Sequence, residues 1–272
     1  VEEISAPSGY AKASSTTQTV ALTSSGATVR FENPPIKVQI SKTDVTTGEE
    51  LVGTTLQIEN EDGEVILLNG ETLQWVTDGS IHLIERLPVG TYYLREVRAT
   101  DGYILNEDPI RFVVEETGEI QTVSMTNDYT KLSILKRDIT TDQGLPGATL
   151  QIENGAGDVV VLNGEELRWV TSTTPYEIDR LPVGTYYLRE VEAPDGYVLN
   201  ETRVKFDVQE TTEVQSITMD NDVTKLRVRK IDLGTGRYIA GSVLRIINQD
   251  TGKVYLDNLE TNAENAIEIT KI

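Results

Sequence analysis

The sequence predicts an all-β protein made of tandem β-sandwich domains, and three observations carry that prediction. Val, Ile, Leu, Thr and Tyr recur in short alternating runs, while aromatic residues make up only 6% of the chain. Such runs are typical of strands. Asp-Gly or Asn-Gly pairs at 62–63, 69–70, 78–79 and 101–102 separate the runs as turns do. Finally, one sequence unit recurs every 94 residues.

The repeat defines the predicted domain organisation. Residues 87–97 return unchanged at 181–191, and Trp75 is matched by Trp169. We therefore predict complete repeats at 37–130 and 131–224, the second half of a repeat at 1–36, and the first half of one at 225–272. Half repeats at both ends indicate a piece of a longer array. No Pro/Ser-rich linker separates the repeats, which favours a stiff rod.

Each complete repeat divides into short strand-forming runs. In the first they occupy 38–42, 55–59, 91–96, 111–114 and 122–126. With the shorter runs between them, this amounts to about seven strands per repeat. That number, spaced by turns, predicts a sandwich of two sheets.

Charge and composition exclude several classes of function. A net charge of −20 argues against nucleic acid and against an anionic membrane surface as partners. The chain has no cysteine, so it has neither disulfides nor thiolate metal sites, and no motif indicates a metal or a cofactor. No stretch is apolar and long enough for a membrane span.

Strand phase places three kinds of polar residue on the inward face. Side chains alternate between the faces of a strand, so Lys42 continues the apolar row of Val38 and Ile40. By the same argument, the glutamate of the Tyr-Tyr-Leu-Arg-Glu strand and the asparagine of the last strand also face inward. The inward residues are Lys42, Glu96 and Asn127 in the first repeat, Lys136, Glu190 and Asn221 in the second, and Asn33 and Lys230 in the end segments.

These residue types suggest a self-cross-link. Burial favours the neutral forms of an amine and of a carboxyl group, and a neutral amine is a nucleophile. A protonated carboxyl can polarise the asparagine carbonyl and carry protons to the departing ammonia. The product is a neutral isopeptide bond between lysine and asparagine. An ordinary buried salt bridge, with asparagine as a hydrogen-bonding neighbour, remains the alternative interpretation.

Other recurring residues compete for these roles. The lysines at the start of the first strand lie on the polar phase, which argues against them: Lys37, Lys131 and Lys225. Asp128 and Asp222 could replace asparagine as the electrophile, but Pro34 stands at that position in the leading segment. The aspartates two residues after the inward lysines are predicted to cap turns: Asp44, Asp138 and Asp232.

The motifs together resemble the Cna B-type domain. They are Lys-x-Asp, Leu-Pro-Val-Gly-Thr-Tyr-Tyr-Leu-Arg-Glu, Ala-Pro-x-Gly-Tyr and a last strand ending in Asn. The resemblance implies an inverse immunoglobulin-like, prealbumin-like sandwich. It also implies a place in the stalk of a cell-wall-anchored adhesin, or in a pilin, on the extracellular surface of a Gram-positive bacterium.

The resemblance further implies the role of each site residue. Lys42, Lys136 and Lys230 correspond to the bond-forming lysine, and Asn33, Asn127 and Asn221 to its partner. Glu3, Glu96 and Glu190 correspond to the catalytic acid. The reaction would occur once per repeat, so no turnover enzyme is expected.

The expected function is therefore a structural stalk segment, with a host-ligand-binding module or a pilin subunit as the alternatives. The chain contains neither a Leu-Pro-x-Thr-Gly sorting signal nor a Tyr-Pro-Lys pilin motif, which favours the stalk. Its expected partners are the neighbouring repeats of the same chain. A host-surface ligand would be bound by another part of the protein. The leading segment offers Glu3 and Asn33 and the last offers Lys230, so head-to-tail self-association is a further expectation.

Overall fold

The structure, a computed structural model, describes residues 1–272 and is built from 23 β-strands without any helix. The all-β prediction is confirmed. No helix is present that has the length and apolar character needed to cross a membrane. The chain forms two compact units. Unit 1 comprises Val1–Lys131, Asp179–Val183 and Gln209–Glu213, and unit 2 comprises Leu132–Ile178, Gly184–Val208 and Val214–Ile272.

Nine strands occupy the first repeat, two more than the runs predict. The strands are β1 (Lys37–Asp44), β2 (Val52–Glu59), β3 (Leu67–Leu68), β4 (Glu71–Thr72), β5 (Gln74–Asp78), β6 (His82–Glu85), β7 (Gly90–Arg98), β8 (Ile110–Val114) and β9 (Ile120–Asn127). The hairpin β3–β4 turns at Asn69 and Gly70, which have φ values of 56° and 89°. Both residues of a tight type I′ turn need positive φ, and Asn-Gly tolerates this best.

Two sheets enclose the core of the first repeat. One has the order β6-β1-β9 and the other the order β5-β2-β7-β8. Strand β1 is antiparallel to β6 but parallel to β9, with Asp44 opposite Asn127. Alternate residues of β1, β7 and β9 are buried, as a period of two requires. The buried cluster includes Ile36, Val38, Leu56 and Leu94, each fully inaccessible to solvent.

The second repeat has the same plan. Its strands are β10 (Lys131–Asp138), β11 (Gln143–Gly144), β12 (Thr149–Glu153), β13 (Val161–Leu162), β14 (Glu165–Glu166), β15 (Arg168–Val170), β16 (Tyr176–Asp179), β17 (Gly184–Glu192), β18 (Val204–Val208) and β19 (Val214–Asn221). One sheet joins β11, β10 and β16, with β19 also paired to β10. The other has the order β15-β12-β17-β18.

The end segments are less regular than the complete repeats. Residues 1–36 form isolated bridges, such as Tyr10 with Pro35, and no strand. Residues 27–33, which match the last strand of a repeat, lack a neighbouring strand that would supply a hydrogen-bonded ladder. The last segment forms β20 (Lys225–Val228), β21 (Val243–Ile247), β22 (Val254–Glu260) and β23 (Ile267–Thr270), paired as β20-β23 and β21-β22.

Candidate cross-linking site

A lysine, a glutamate and an asparagine meet inside the sandwich of the first repeat. Lys42 on β1 and Asn127 on the parallel neighbour β9 come from one sheet, and Glu96 on β7 comes from the other. Their exposed fractions are 1%, 2% and 3%. The inward phase of the three strands is the local cause, because each polar residue extends a row of buried apolar ones.

The three side chains contact one another directly. The ammonium of Lys42 donates a hydrogen bond to Oδ1 of Asn127. The same Nζ lies 3.3 Å from Oε2 of Glu96. Nδ2 of Asn127 in turn donates to Oε1 of Glu96 over 2.7 Å. Each member therefore touches the other two, in a closed triangle from which solvent is excluded.

The second repeat contains the same triangle. Lys136 donates to Oδ1 of Asn221, and its Nζ lies 3.4 Å from Oε1 of Glu190. Nδ2 of Asn221 donates to Oε1 of Glu190 over 2.8 Å. Lys136, Glu190 and Asn221 are exposed by 1%, 2% and 2%. In both repeats 85 residues separate the lysine from the asparagine, so the triangle depends on tertiary structure.

Burial makes these lysines unusually easy to deprotonate. Desolvation lowers the pKa of Lys42 from 10.5 to about 8, against the opposing attraction of Glu96. Desolvation also lowers the pKa of Lys136, and Glu190 again opposes it. A larger fraction of each amine is therefore neutral, and thus nucleophilic, than in a solvent-exposed lysine.

The glutamate faces the amide nitrogen of asparagine and not its carbonyl oxygen, which contacts the lysine. The sequence predicts two tasks for the acid, polarising the carbonyl and delivering protons to the leaving ammonia. The observed geometry suits the second task, because Oε1 already lies within hydrogen-bond distance of the nitrogen that would leave. The carbonyl oxygen instead receives its hydrogen bond from the lysine.

A loop that the residue types alone do not identify also holds the glutamate. The backbone N–H of Asn106 donates to Oε2 of Glu96 over 2.8 Å. In the second repeat the N–H of Asn200 donates to Oε2 of Glu190 over 2.6 Å. The available signal was the recurrence of Gly-Tyr-Ile-Leu-Asn at 102–106 as Gly-Tyr-Val-Leu-Asn at 196–200. Every residue except proline has a backbone N–H, so the residue type does not reveal which one donates to the acid.

The end segments contain incomplete sets. In the first, Asn33 donates to Oε1 of Glu3 and, over 2.9 Å, to the carbonyl of Ala11, while Oε2 of Glu3 accepts from the N–H of Ala13. No lysine side chain forms a hydrogen bond or an ion pair with Glu3 or Asn33, although the charge of Lys12 acts on Glu3 from a distance. Lys230 in the last segment is exposed, and β20 ends before it at Val228. The structure therefore contains two complete lysine–glutamate–asparagine triangles and one glutamate–asparagine pair, and Lys230 belongs to none of them.

The competing residues lie outside these triangles. Lys37 is 3.6 Å from Glu85 at the surface, and Lys131 is 3.0 Å from Asp128. Asp222 pairs with Lys225 over 2.9 Å, again outside the core. These contacts are surface ion pairs, which contribute little to stability.

An acidic turn at residues 60–64 and the single histidine of the chain, His82, both have local structural partners. The side-chain oxygen of Asn60 accepts hydrogen bonds from the N–H groups of Asp62 and Glu64, which orders that turn. His82 lies on β6 and stacks on Trp75 with 4.2 Å between the ring centroids. No group of three or more His, Asp or Glu side chains is arranged to hold a metal ion.

Comparison with known proteins places the two repeats in one family. The model of the SpaA prealbumin-like fold domain matches residues 36–129 and again residues 130–223. No curated protein sequence matches the chain significantly.

Several solved structures are similar at low identity. The Bacillus anthracis TIE protein is 25% identical, with a TM-score of 0.43, over 86% of this chain and 43% of that one. A streptococcal ancillary pilin is 23% identical, with a TM-score of 0.32, over 69% of this chain and 62% of that one. The shaft pilin SpaA from Lactobacillus rhamnosus GG is 16% identical, with a TM-score of 0.35, over 69% of this chain and 98% of that one. This chain thus spans less than two thirds of the length of the TIE protein and of the ancillary pilin.

Proposed function

Since this chain belongs to the family of SpaA prealbumin-like fold domains, we propose that it is a structural segment of an extracellular fibre or adhesin stalk on a Gram-positive bacterium. Each complete repeat is locked by one isopeptide bond, between Lys42 and Asn127 and between Lys136 and Asn221. The observation that carries the proposal is the closed contact of lysine, glutamate and asparagine, buried in the same way in both repeats.

The proposed reaction begins with a proton transfer inside the pair. The ammonium of Lys42 gives one proton to Glu96 across their 3.3 Å contact, which leaves a neutral amine and a neutral acid. The amine nitrogen then attacks Cγ of Asn127, and the bond from Cγ to Nδ2 breaks. Glu96 donates its proton to the departing nitrogen and takes one from the attacking nitrogen, so ammonia leaves and the acid is regenerated.

The reaction also resolves an electrostatic cost of the fold. A buried ammonium and a buried carboxylate each lose several kcal/mol of hydration free energy. The isopeptide bond replaces the ammonium by a neutral amide and leaves the acid protonated. Both charges therefore disappear from the core. Because all reacting groups are already in contact, the chain needs no enzyme and no cofactor, and each site reacts once.

The positions of the bonds suit a structure that carries tension. Asn127 and Lys136 are nine residues apart, so force leaving the first repeat through Asn127 enters the second bond after one short peptide. Lys42 and Asn127 are 85 positions apart, and the residues between them lie outside this path. Since β1 and β9 are parallel neighbours, pulling on the chain shears them, and the bond joins these two strands directly. The neighbouring repeats are thus the main partners, and other fibre subunits would be further ones.

Intact mass tests the proposal. Each condensation expels one ammonia, about 17 Da, so the unsubstituted chain is expected to be about 34 Da lighter than its sequence requires. Replacing the acids, Glu96→Ala with Glu190→Ala, should restore the full mass because no group then carries the protons. Glu3→Ala is the matched control, since Glu3 contacts Asn33 but no lysine, and it should keep the deficit. An unsubstituted chain of full mass would leave each triangle as a buried salt bridge.

The depressed lysine pKa predicts how a repeat without its bond responds to pH. In Asn127→Ala, Lys42 stays buried with a pKa of about 8, against 10.5 in the unfolded chain. The unfolded chain then binds this proton more tightly than the folded chain does. The free energy of unfolding of the first repeat should therefore rise by about 2–3 kcal/mol as the pH goes from 8 to 10.5.

Denaturant unfolding at a series of pH values measures this effect, with Trp75 as the reporter in a Trp169→Phe background. The control adds Lys42→Met to Asn127→Ala, which removes the titrating amine and should remove the rise. If the unfolding free energy rose equally with pH in the two variants, a depressed pKa at Lys42 would be contradicted.

A further inference from the structure

The loop that leads from β7 to β8 covers the acid of each triangle. In the first repeat the N–H of Asn106 holds Oε2 of Glu96, and the N–H of Ile104 donates to the carbonyl of Asp128 over 2.9 Å. In the second repeat, Asn200 and Val198 make the same two contacts with Glu190 and Asp222. The loop is thus bonded both to the acid and to the residue that follows the reacting asparagine.

On its outer side the loop borders solvent. A surface cavity of about 540 Å³ is lined by residues that include Asn106 and Asn127. The second repeat has a cavity of about 700 Å³ at the same place, lined by residues that include Asn200 and Asn221. In each repeat the loop and the reacting asparagine therefore border the same surface cavity.

A tyrosine anchors this loop to the strand that carries the lysine. The hydroxyl of Tyr103 donates to Oδ2 of Asp44 over 2.8 Å, and Asp44 follows Lys42 by two residues on β1. Tyr197 donates to Oδ2 of Asp138 over 2.7 Å in the second repeat. The other oxygen of Asp44 accepts from the N–H groups of Thr46 and Thr47 at 2.7 and 2.9 Å, which confirms its predicted turn-capping role.

A cation also contacts each of these two aspartates. Arg180, part of unit 1, donates from Nη2 to Oδ2 of Asp44 over 2.7 Å and from Nε to the hydroxyl of Tyr103 over 2.9 Å. Burial alone would raise the pKa of Asp44, but the bonds from Thr47, Arg180, Tyr103 and Thr46 outweigh it and hold the pKa well below its ordinary value. In unit 2 the ammonium of Lys271 lies 3.2 Å from Oδ2 of Asp138.

We propose that Tyr103 and Tyr197 are positioning residues for isopeptide formation, because their hydroxyls fasten the loop whose N–H groups orient the catalytic acids. The inference rests on the proposed function and extends it. Without the hydrogen bond from Tyr103 to Asp44, the loop loses its attachment to β1. The carboxyl of Glu96 is then free to turn away from Nδ2 of Asn127. Misplacement by about 1 Å can slow a reaction by about 100-fold.

The test follows both bonds in one molecule. Tyr103→Phe is made in the full chain by cell-free synthesis, samples are quenched at intervals, and the two cross-linked peptides are quantified against their linear forms. We expect the Lys42–Asn127 link to form at least about tenfold more slowly, while the Lys136–Asn221 link keeps its rate as an internal control. Tyr197→Phe should give the reverse pattern.

Tyr129→Phe is the matched control. It also removes one tyrosine hydroxyl from this corner, but that hydroxyl bonds to Thr46 and not to Asp44. Both links should then form at their normal rates. A second readout is amide exchange at Asn106, whose N–H is protected by Glu96 and should exchange faster in Tyr103→Phe. A general loss of packing would instead raise exchange along β1 and β9 as well.

The outcomes separate this inference from the proposed function. If the unsubstituted chain forms neither link, the proposed function fails. If it forms both, and Tyr103→Phe forms both at normal rates, only the positioning role fails. Should Tyr103→Phe leave the first repeat unfolded, judged by Trp75 emission, Asp44→Asn replaces it in the same assay. That variant keeps the tyrosine and weakens its acceptor, and a normal rate of Lys42–Asn127 formation in it overturns the inference.

Discussion

Under a stretching force, the Asn127→Ala chain will lengthen by nearly 300 Å in a step that the unsubstituted chain does not show. The length follows from the separation of 85 positions between Lys42 and Asn127, because the chain between them becomes free to extend at about 3.3–3.6 Å per residue once its ends are unlinked. With the bond in place, those residues bear no load, and the force passes directly from β1 to β9.

Single-molecule force spectroscopy with handles at the two ends of the chain measures the step. Adding Asn221→Ala should produce a second step of the same length, because Lys136 and Asn221 are also 85 residues apart. Asn33→Ala is the matched control, since Asn33 contacts Glu3 and no lysine, and it should add no step. Steps of nearly 300 Å in the unsubstituted chain would show that the repeats are not locked.

Loss of one bond will also destabilise its repeat strongly. In Lys42→Met the first repeat should lose about 4–5 kcal/mol of unfolding free energy, because the unfolded chain regains the entropy of an unlinked loop of this length. The substitution keeps an unbranched side chain in the buried position and removes the amine. A loss of this size is a large share of the stability of an ordinary domain.

Replacing the acid should cost more than replacing the lysine. In Glu96→Ala the bond is lost as well, and the buried amine of Lys42 remains without its counter-charge. In Lys42→Met, by contrast, the carboxyl of Glu96 keeps its hydrogen bonds from Nδ2 of Asn127 and from the N–H of Asn106. Removing one partner of a buried ion pair costs about 3–5 kcal/mol. Denaturant unfolding, monitored by Trp75 emission in a Trp169→Phe background, measures the loss of unfolding free energy in both variants. If Glu96→Ala were as stable as Lys42→Met, the acid would not be the lysine's counter-charge.

Resistance to proteases is expected to follow the same order, because cleavage requires opening of the repeat. The unsubstituted chain should be cut most slowly, Lys42→Met faster and Glu96→Ala fastest.

Features that depend on local patterns could be predicted from the amino-acid sequence alone. Alternation with a period of two identified the strands and the face of each one, and so predicted that Lys42, Glu96 and Asn127 would be buried. The recurrence of whole motifs predicted two equivalent repeats, and the spacing of Asp44 after Lys42 predicted its turn-capping role. Each of these signals lies within a few consecutive residues or in a direct comparison of two copies.

Which side chains meet, and which of their atoms face one another, depends on how distant parts of the chain pack together. The parallel pairing of β1 with β9 brings Lys42 to Asn127, although 85 residues separate them. The side of the amide that faces Glu96 depends on that packing, and so does the N–H of Asn106, which no residue type reveals. The missing strand at 27–33 has the same cause. A strand needs a hydrogen-bonded neighbour, and pairing between distant segments is not encoded in the alternation of either one.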